Sequence, residues 1–595
     1  MAHSSPPRRR RFQLRAAAAL LLAALWAVWL LWRVTAIQVL HSGTYAAMAQ
    51  AEDVHTFTIP ATRGSILDAH GHVLALDLPA YTVTAAPRVI EQTAKATNDP
   101  GLRNQEARLL ARVLPYSVGQ LRSALAGNSW YRLIDPFVAS ARGQVLLNEA
   151  NALPGITVVP TEERAYPSGP LAAQVVGFVN GSGVGVAGIE EEDNALLAGK
   201  AGHETVAFAG NGELLPAWTH KYTAPVAGDS VQLTIDGSIQ REAEKLLAAD
   251  VKRWKAKNGT IIIMDPKTGA VLALANYPTF NPNTYYTFSP VDFTNWAVQD
   301  PIPPGSIFKP VTASAGLQDG VVQPTTVFDT VGYKIVDGLR INDWMPNGWG
   351  PISFTRGLEL SSDQVFMTVG LKLGVQRLYA MARAYGFFHP SNVGLPGDSS
   401  GIFIPPNQVN AVDLATIAFG QGIAVTPMQE VTMISAIAND GVVMQPQIRK
   451  AVLSPSGQVL QRMKPIREDR AITPFVAHEL HVMMEREVGY GTGIPAQVKG
   501  YTWAGKTGTA QQVVNGRTSS SVYVSSYAGY GPMPHPRFAM VVMLNDPKGA
   551  IYGAQVSAPT WAKMAAWLMK YWRIPPNLNN NLPNGVAQGN SIPPG

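Results

Sequence analysis

The segment Pro303-Pro304-Gly305-Ser306-Ile307-Phe308-Lys309 is the stretch of this sequence that indicates both a fold and a chemistry. Its turn-forming residues come directly before a helical run, which predicts that a helix begins here. Positions i and i+3 share one face of a helix, so Ser306 and Lys309 can touch. A serine hydroxyl becomes a nucleophile when a base takes its proton, and an unprotonated lysine is such a base. The spacing alone is a weak signal, because an exposed serine in a first turn is usually only a helix cap.

Two more segments carry side chains of complementary chemistry. Lys506-Thr507-Gly508-Thr509 comes before an alternating, β-type sequence at 522–530. A lysine and two hydroxyl groups on a strand edge suit a substrate carboxylate, and a glycine lets a substrate backbone approach closely. Ser361-Ser362-Asp363 follows the helical-looking residues 355–360, and its first serine can relay a proton between a base and a leaving amine.

Taken in chain order, these three segments resemble the Ser-x-x-Lys, Ser-x-Asn and Lys-Thr-Gly motifs of the penicillin-recognising serine acyltransferases. Segments on both sides of them are similar to class B penicillin-binding proteins, so the resemblance covers nearly the whole chain. One such match can arise by chance, whereas all of them in order should not. These segments are Arg63-Gly64-Ser65-Ile66-Leu67-Asp68 with Gly71 and Leu74-Ala75, Arg164-Ala165-Tyr166-Pro167, Gly188-Ile189-Glu190, Gly420-Gln421-Gly422, Val425-Thr426-Pro427-Met428-Gln429 and Ile437-Ala438-Asn439-Asp440-Gly441.

The resemblance implies an α/β (α+β) fold in which a serine transpeptidase domain has a central antiparallel sheet flanked by helices. One transmembrane helix and an irregular α+β pedestal domain come before it. The implied enzyme is a peptidoglycan D,D-transpeptidase that cross-links stem peptides ending in D-Ala-D-Ala and is acylated by β-lactams. In the implied mechanism Ser306 attacks the penultimate D-Ala carbonyl, Lys309 takes the serine proton, and Ser361 passes it to the leaving amine. An amine of a neighbouring stem peptide then removes the acyl group.

The same resemblance assigns substrate binding to the third segment. Lys506, Thr507 and Thr509 are expected to hold the carboxylate, with Gly508 between them, and the backbone amides of Ser306 and Thr509 to form the oxyanion hole. No cofactor and no metal is implied. Because no glycan-polymerising domain is visible before Ser306, the resemblance also implies partners: a membrane-embedded glycosyltransferase of the SEDS family and other cell-wall synthesis proteins.

One position departs from the general pattern, because Asp363 stands where the family usually has an amide. A carboxylate cannot donate a hydrogen bond, and an ionised Asp363 near Lys309 would stabilise the ammonium and oppose its role as a base. Elongation-type members resemble this sequence in having Ser-x-Asp followed by an aromatic residue, here Phe366, whereas the compact segment 177–190 is more like division or sporulation types. Two interpretations stay open: an active transpeptidase, or a catalytically impaired scaffold or sensor with the same fold.

The composition excludes several other classes of protein. A chain of 595 residues is too long for one domain, and 46% hydrophobic against 15% charged residues excludes a disordered polyelectrolyte. The absence of cysteine excludes thiol proteases and thiolate metal sites. The formal net charge of +6 does not indicate nucleic-acid binding, because five of the charges precede the first apolar run: Arg8, Arg9, Arg10, Arg11 and Arg15.

Residues 16–40 are predicted to anchor the chain in a membrane. Residues 16–32 are uncharged, and residues 34–40 extend the run if Arg33 snorkels. The arginines before the run predict a cytoplasmic N-terminus and an extracytoplasmic catalytic domain at the plasma (inner) membrane. A signal peptide cleaved at Ala47-Met48-Ala49 is the competing interpretation, disfavoured because the apolar run is long and lies far upstream of that site.

Composition and patterning divide the chain into five parts. We expect a basic cytoplasmic tail at 1–15, the anchor at 16–40, the pedestal at 41–228, the transpeptidase domain at 229–573 and a disordered tail at 574–595. Within the pedestal we expect a strand at 81–85 and helices at 104–113 and 118–125. The second domain is predicted to begin with a strand at 230–235, a helix at 240–250 and a strand pair at 260–264 and 271–275.

Four alternatives compete with this interpretation. Gly500-Tyr501-Thr502-Trp503-Ala504-Gly505-Lys506-Thr507 matches a phosphate loop and would indicate an ATPase, but no helical period follows it. Gly183-Val184-Gly185-Val186-Ala187-Gly188 matches a dinucleotide fingerprint without the helix it should open, so a turn is preferred. A β-lactamase is disfavoured because no motif supplies a positioned water and base. One group of histidines and acids is interpreted as a solvated helix face rather than a metal site: His478, Glu479, His481 and Glu485.

Overall fold

The computed structural model describes residues 8–41, 43, 54–150, 153–207, 221–514 and 516–576. The chain forms two compact units, one of Met1–Ala61 with Lys200–Val226 and one of Thr62–Gly199 with Ala227–Gly595. The second unit contains all three motif segments. The domain boundaries expected at residues 41, 229 and 574 stay predictions, and residues 577–595 of the expected tail lie outside the described residues.

The first unit contains the apolar helix and a small sheet. An α-helix spans Arg8–Thr35 and continues as a π-helix over Ala36–Leu40. The segment Phe12–Leu40, with a mean hydropathy of 2.1, is long and apolar enough to cross a membrane. The competing cleavage site at 47–49 lies outside the described residues. The sheet is antiparallel, with its strands in the order Val54–Ile59, Gly202–Ala207 and Lys221–Thr223.

The second unit begins with an α+β region built around one long strand. This strand, Val73–Ala85, pairs antiparallel with Arg132–Ala139 and with Ile156–Ala165. Because side chains alternate along a strand, Val83 and Ala85 face the same side, where they join a buried apolar core. The predicted strand at 81–85 and helices at 104–113 and 118–125 are confirmed. The helices that supply this core are Pro87–Ala96, Leu102–Val113, Val118–Ala124 and Ser140–Ala150, and three short helices follow at Ala173–Val176, Gly188–Glu192 and Asn194–Leu197.

A buried ion cluster, which we call the Glu190 cluster, joins three of the upstream sequence segments. Arg63 Nε donates to Glu190 Oε2 at 2.6 Å, and Arg164 Nε donates to Glu190 Oε1 at 2.7 Å. Arg164 Nη1 also pairs with Asp77 Oδ1 at 3.0 Å, and Tyr166 OH donates to Glu190 Oε1 at 3.3 Å. The Glu190 side chain has no exposed surface. Two guanidinium groups therefore supply the pairing and hydrogen bonds that a buried carboxylate requires.

One sheet connects this region to the part of the unit that carries the three motif segments. Ile66–Leu67 pairs with Val73–Ala85 and, in parallel, with Ser230–Leu233. Ser230–Leu233 in turn pairs antiparallel with Arg449–Leu453, and Val459–Arg462 completes the edge. The predicted strand at 230–235 is thus confirmed as a strand that connects the two regions.

A five-stranded antiparallel sheet forms the centre of the motif-bearing region and confirms the predicted fold class. Both faces of the sheet are covered, so its inner strands Asn258–Met264 and Phe538–Asn545 are buried at every position. In the strand Asn258–Met264, Ile261 and Ile263 belong to one core cluster, while Ile262 and Met264 belong to the other. The predicted strand pair at 260–264 and 271–275 is confirmed. The strands lie in the order Val271–Tyr277, Asn258–Met264, Phe538–Asn545, Arg517–Gly531 and Ala504–Val514.

Helices close both core clusters. One face of the sheet packs against Gly237–Trp254, which contains the predicted helix at 240–250, and against Ala558–Tyr571. The opposite face packs against Lys309–Gln318, Pro427–Ala438 and Pro474–Tyr490. The remaining α-helices of the described residues are Phe354–Glu359, Asp363–Leu373, Val375–Ala384, Ala411–Ile417 and Gly553–Val556. The 3-10 helices of the described residues are Pro282–Thr287, Pro290–Phe293, Gly305–Phe308 and Ile494–Ala496. Three two-stranded sheets are formed by Val327–Thr330 with Gly350–Ser353, Tyr333–Val336 with Leu339–Asn342, and Val442–Met444 with Arg467–Arg470.

Candidate active site

The first motif segment forms a 3-10 turn, Gly305–Phe308, which leads into the α-helix Lys309–Gln318. Gly305 has a φ of +53° and donates its N–H to the carbonyl oxygen of Gly420 at 2.9 Å. A Cβ on Gly420 would lie 2.0 Å from the carbonyl oxygen of Gly305, so only glycine permits this approach. The contact explains the downstream Gly-Gln-Gly segment as a support for the turn. Ser306 is left partly exposed on it.

Lys309 is fully buried and joins the first motif segment to the second. Its Nζ donates to the carbonyl oxygen of Ser361 at 2.6 Å, to Ser361 Oγ at 3.1 Å and to Asp363 Oδ1 at 2.6 Å. The ring of Phe366 lies 5.6 Å from the same nitrogen and adds a cation–π contact. Three donors meet three acceptors, which is the arrangement of a charged ammonium group rather than a free amine.

No hydrogen bond links Ser306 to Lys309, although their spacing allows the two side chains to touch. Among the described residues the hydroxyl of Ser306 has no hydrogen-bond partner, because Lys309 directs its donors to Ser361 and Asp363. A carboxylate attracts an ammonium group more strongly than a neutral hydroxyl does. Burial raises the pKa of Asp363, and the charge of Lys309 opposes that rise. The contact that the spacing allows is therefore replaced by one with Asp363, which lies where an ionised carboxylate would oppose the role of Lys309 as a base.

The middle motif segment is held in place by Asp343, a residue that no sequence motif marks. Ser362 Oγ donates to Asp343 Oδ2 at 2.6 Å, and the N–H of Gln364 donates to the same oxygen at 3.0 Å. Ser361 adopts a left-handed φ of +55°. In this conformation both its carbonyl oxygen and its hydroxyl accept hydrogen bonds from Lys309. Asp343 thus stabilises the turn that supplies two of the three acceptors of Lys309.

The third motif segment lies in Ala504–Val514, the edge strand of the central sheet. It passes next to the first segment, since a Cβ on Gly305 would lie 2.8 Å from the carbonyl oxygen of Thr509. A Cβ on Gly508 would lie 2.2 Å from Ser526 Oγ on the neighbouring strand. Packing within the chain, and not only the approach of a substrate, therefore requires glycine at that position.

Lys506 is fully buried beside a carboxylate that the sequence analysis missed. Its Nζ donates to the carbonyl oxygen and to Oγ1 of Thr507, both at 3.1 Å, and lies 3.5 Å from Glu487 Oε1. Burial lowers the pKa of Lys506 to about 8; Glu487 opposes this shift, and the charge of Lys309 adds to it. No periodic signal in the sequence distinguishes Glu487, which lies in the mixed polar and apolar helix Pro474–Tyr490.

These contacts bring the three motif segments into one site. Lys309 joins the first segment to the second by hydrogen bonds, and Gly305 packs against the third beside Thr509. The charges of Lys309 and Asp363 both act on Lys506. The site therefore combines a partly exposed serine hydroxyl, two buried lysines and a second serine at the edge of an antiparallel sheet.

Known protein families match the chain over both regions of its second unit. The family model of the penicillin binding protein transpeptidase domain matches residues 259–566, and that of the penicillin-binding protein dimerisation domain matches residues 58–233. The chain belongs to the class B penicillin-binding proteins.

Individual relatives agree with the family models. The chain is 31% identical to penicillin-binding protein PbpB of Mycolicibacterium smegmatis, over 91% of this chain and 87% of that protein. It is 29% identical to peptidoglycan D,D-transpeptidase FtsI of Escherichia coli, over 92% of this chain and 90% of that protein. A solved structure of penicillin binding protein 3 from Mycobacterium tuberculosis, complexed with aztreonam, has a TM-score of 0.68 and 29% identity, and covers 88% of this chain and 98% of that one.

The structure of this penicillin-binding protein contradicts both nucleotide-binding alternatives. Lys506 lies inside the strand Ala504–Val514 and not at the start of a helix, so the phosphate-loop match is accidental. The dinucleotide-like segment 183–188 is followed by a helix of only five residues, Gly188–Glu192, whose Glu190 belongs to the Glu190 cluster. The preferred interpretation of that segment as a turn is confirmed.

One sequence interpretation of this penicillin-binding protein is wrong in part. His478 is exposed, as a solvated helix face requires, but His481 on the same helix is only 8% exposed. His481 Nδ1 lies 2.8 Å from Tyr530 OH, on a strand of the central sheet. Histidines three residues apart lie near one another on a helix, yet here one packs against the sheet and the other does not.

Proposed function

We propose that this class B penicillin-binding protein is a peptidoglycan D,D-transpeptidase that forms cross-links through an acyl-enzyme at Ser306. The observation that carries the proposal is the position of Lys309 Nζ, 3.1 Å from Ser361 Oγ and 2.6 Å from Asp363 Oδ1, beside the turn that presents Ser306. A partly exposed serine next to a buried lysine and a second hydroxyl suits nucleophilic acyl transfer. The name of the Escherichia coli relative, a peptidoglycan D,D-transpeptidase, supports the same reaction.

Two acyl transfers account for the reaction. Ser306 Oγ attacks the carbonyl carbon of the penultimate D-Ala, and its proton passes to Lys309, which must first release one of its own. Ser361 Oγ, 3.1 Å from Lys309 Nζ, delivers a proton to the nitrogen of the terminal D-Ala as the C–N bond breaks. An ester on Ser306 remains. An amine of a neighbouring stem peptide then attacks this ester, forms the new amide and returns a proton to the Ser306 oxygen.

The third motif segment binds the substrate in this proposal. Lys506, Thr507 and Thr509 hold the terminal carboxylate, and the ammonium form of Lys506 supplies the opposite charge. The backbone amides of Ser306 and Thr509 form the oxyanion hole; Thr509 lies on an edge strand, where outward backbone groups have no strand partner. β-Lactams acylate Ser306, an expectation supported by the aztreonam complex of the Mycobacterium tuberculosis relative.

In this proposal the site lies outside the cell. The helix Phe12–Leu40 anchors the protein in the plasma (inner) membrane, with the arginine-rich N-terminus in the cytoplasm. Residues 41–228 act as the pedestal and residues 229–573 as the transpeptidase domain. A SEDS-family glycosyltransferase and other cell-wall synthesis proteins supply the glycan strands whose stem peptides are joined.

Covalent labelling tests the proposal. A fluorescent penicillin should label the full-length protein, and Ser306→Ala should abolish the labelling because the attacking oxygen is gone. A wild-type protein that takes up no label would favour the impaired scaffold or sensor instead. Continuous hydrolysis of a chromogenic β-lactam would favour a β-lactamase, because a transpeptidase retains the acyl group.

A further inference from the structure

Glu487 is a buried carboxylate held between the third motif segment and the loop that follows its own helix. Its Oε1 accepts hydrogen bonds from the Thr507 N–H at 3.1 Å, from Thr507 Oγ1 at 3.2 Å and from Thr492 Oγ1 at 2.8 Å. The same oxygen lies 3.5 Å from Lys506 Nζ. Neither Glu487 nor Lys506 has any exposed surface. One carboxylate oxygen thus contacts two adjacent residues of the third segment, and the reaction described above assigns it no part.

The loop around this carboxylate is shaped to accommodate it. A Cβ on Gly493 would lie 1.9 Å from Glu487 Oε2, so a glycine is required to leave space for that oxygen. The N–H groups of Gly491 and Gly493 donate to the backbone carbonyl of Glu487 at 3.0 and 3.2 Å. Among the described residues Oε2 has no hydrogen-bond partner. The contacts of the side chain are therefore concentrated on the oxygen that faces Lys506 and Thr507.

Two lysine–carboxylate pairs share the buried part of the site. Lys309 pairs with Asp363 at 2.6 Å, and Lys506 pairs with Glu487 at 3.5 Å. Burial lowers the pKa of Lys506 to about 8, Glu487 and Asp363 raise it, and the charge of Lys309 lowers it. Burial also raises the pKa of Glu487, and the charge of Lys506 opposes that rise. Tyr527 also interacts with Glu487, and burial keeps Tyr527 neutral by raising its pKa well above the ordinary value.

We propose that Glu487 is a positioning residue for the transpeptidase reaction, which holds Lys506 and Thr507 in the geometry that binds the substrate carboxylate and keeps Lys506 positively charged. This inference rests on the proposed function, because it takes the third segment to be the carboxylate-binding site. Glu487 acts through these two residues and not on the substrate itself.

Two consequences separate this role from a merely structural one. Lys506 attracts a carboxylate only as an ammonium, so capture of an anionic ligand should fall as the pH rises through about 8. Without the charge of Glu487, the ammonium form of Lys506 loses its nearest anion, and this fall should occur at lower pH. A ligand without a carboxylate should show neither effect.

The test measures the second-order rate constant of acylation of the full-length protein in detergent, between about pH 6 and about pH 9. The probes are a penicillin and the methyl ester of the same penicillin, which differ only in the carboxylate. For Glu487→Gln we expect the preference for the acid over the ester to fall about tenfold. We also expect the alkaline fall of the rate with the acid to move to lower pH. Glu487→Asp should restore part of the acid preference and part of the wild-type pH profile.

A matched control is available in the same domain. Glu430 lies in the helix Pro427–Ala438, is 1% exposed, and has no hydrogen bond to either carboxylate oxygen among the described residues. Glu430→Gln removes a buried acid just as Glu487→Gln does. It should leave the acid-to-ester preference and the pH profile unchanged.

The outcomes separate this inference from the proposed function. Labelling of the wild type but not of Ser306→Ala would support the proposed function. If Glu487→Gln then keeps the wild-type acid-to-ester preference and pH profile, the inference about Glu487 is overturned and the proposed function stands. An equal loss for acid and ester, parallel to a lower melting temperature, overturns it as well. Absence of acylation of the wild type by either probe overturns the proposed function itself. If Glu487→Gln does not fold, two other variants replace it: Glu487→Asp, and Thr492→Val, which removes one hydrogen bond to Glu487 Oε1. Their acid-to-ester preference and pH profile then decide the inference.

Discussion

Asp363 Oδ1 lies 2.6 Å from Lys309 Nζ, in an ion pair whose lysine has no exposed side-chain surface. An ionised carboxylate at this distance stabilises the ammonium form of the lysine, whereas attack by Ser306 requires the free amine. The amide that the family usually has at this position would accept a hydrogen bond from Lys309 without a negative charge. The ion pair therefore opposes the first proton transfer, because Lys309 must give up a proton beside a negative charge.

Replacing Asp363 with asparagine tests this effect. Asp363→Asn retains an acceptor for Lys309 but removes the charge that favours its ammonium form. We expect the acid limb of the acylation rate with a fluorescent penicillin to move to lower pH by roughly one unit. Asp319→Asn is the control, since it removes a carboxylate that pairs with the exposed Arg377 at 2.9 Å, and its profile should match the wild type. A shift to higher pH in Asp363→Asn would contradict the role assigned to the ion pair.

The regular elements of the fold could be predicted because burial leaves a pattern in the sequence. The strand Asn258–Met264 alternates between two cores, and the motif segments carry their chemistry at fixed short spacings. Glu487 and Asp343 leave no such pattern, because each is one acid whose partner lies 20 or 19 residues away. Their roles depend on where the loops bring them, which local propensity does not determine.

Two differences between local expectation and structure have the same physical origin, namely tertiary contacts that override the local pattern. Ser306 and Lys309 have the spacing for a contact, but the acceptors of the middle segment bind all three donors of Lys309. His481 lies beside acids in sequence, which is typical of a solvated face, but its partner Tyr530 is 49 residues away on a strand. In both cases the competing partner could not be inferred from nearby sequence.

Removing the negative charge of Glu190 from the Glu190 cluster should cause a large loss of stability. Glu190→Gln removes the negative charge between Arg63 and Arg164, which leaves two buried guanidinium groups without their shared partner. Breaking a buried ion pair in this way costs about 3 to 5 kcal/mol. Denaturant unfolding of the full-length protein in detergent measures the change in the free energy of unfolding.

Glu91→Gln is the control for that measurement. Glu91 pairs with the exposed side chains of Lys95 and Arg103, and is itself 42% exposed. Its substitution should change the free energy of unfolding by no more than about 1 kcal/mol. Equal effects of the two substitutions would show that the cluster contributes no special stability.

Replacing Gly508 with alanine should create a packing defect inside the third motif segment. In Gly508→Ala the new Cβ would lie 2.2 Å from Ser526 Oγ and 2.9 Å from Ile307 Cγ1, so the edge strand must shift away from its neighbours. We expect a loss of about 1 to 3 kcal/mol in the free energy of unfolding and slower acylation. The double variant Gly508→Ala/Ser526→Ala should recover part of the stability, because it removes the closest atom.

Gly489→Ala is the matched control for the same substitution. Gly489 lies in the helix Pro474–Tyr490, and outside the adjoining residues and backbone of that helix no atom lies within 4 Å of the position that a Cβ would take. Alanine has the higher helix propensity, so this variant should be as stable as the wild type or up to about 1 kcal/mol more stable. A comparable loss in both variants would mean that the contact with Ser526 does not limit residue 508.

The protonation of His481 should lower the stability of the folded protein in acid. Burial lowers its pKa from 6.5 to about 4; the carboxylate of Asp440 opposes this shift, and His478 and Lys267 add to it. Below pH 6.5 the unfolded chain binds a proton at this histidine that the folded protein does not bind until about pH 4. The stability associated with the neutral form is therefore complete above pH 6.5 and falls as the pH decreases towards about 4, by about 3 kcal/mol in total.

Unfolding of variants across this pH range isolates the contribution of His481 from that of the carboxylates. His481→Gln removes the titrating group, so the difference between its stability and that of the wild type should shift in favour of the variant as the pH falls below 6.5. His478→Gln, on the exposed side of the same helix, should follow the wild-type dependence. The loss of the bond to Tyr530 lowers the stability of His481→Gln at every pH, so only the change with pH is diagnostic. Parallel curves for His481→Gln and the wild type would mean that this histidine is protonated equally in the folded and unfolded chains.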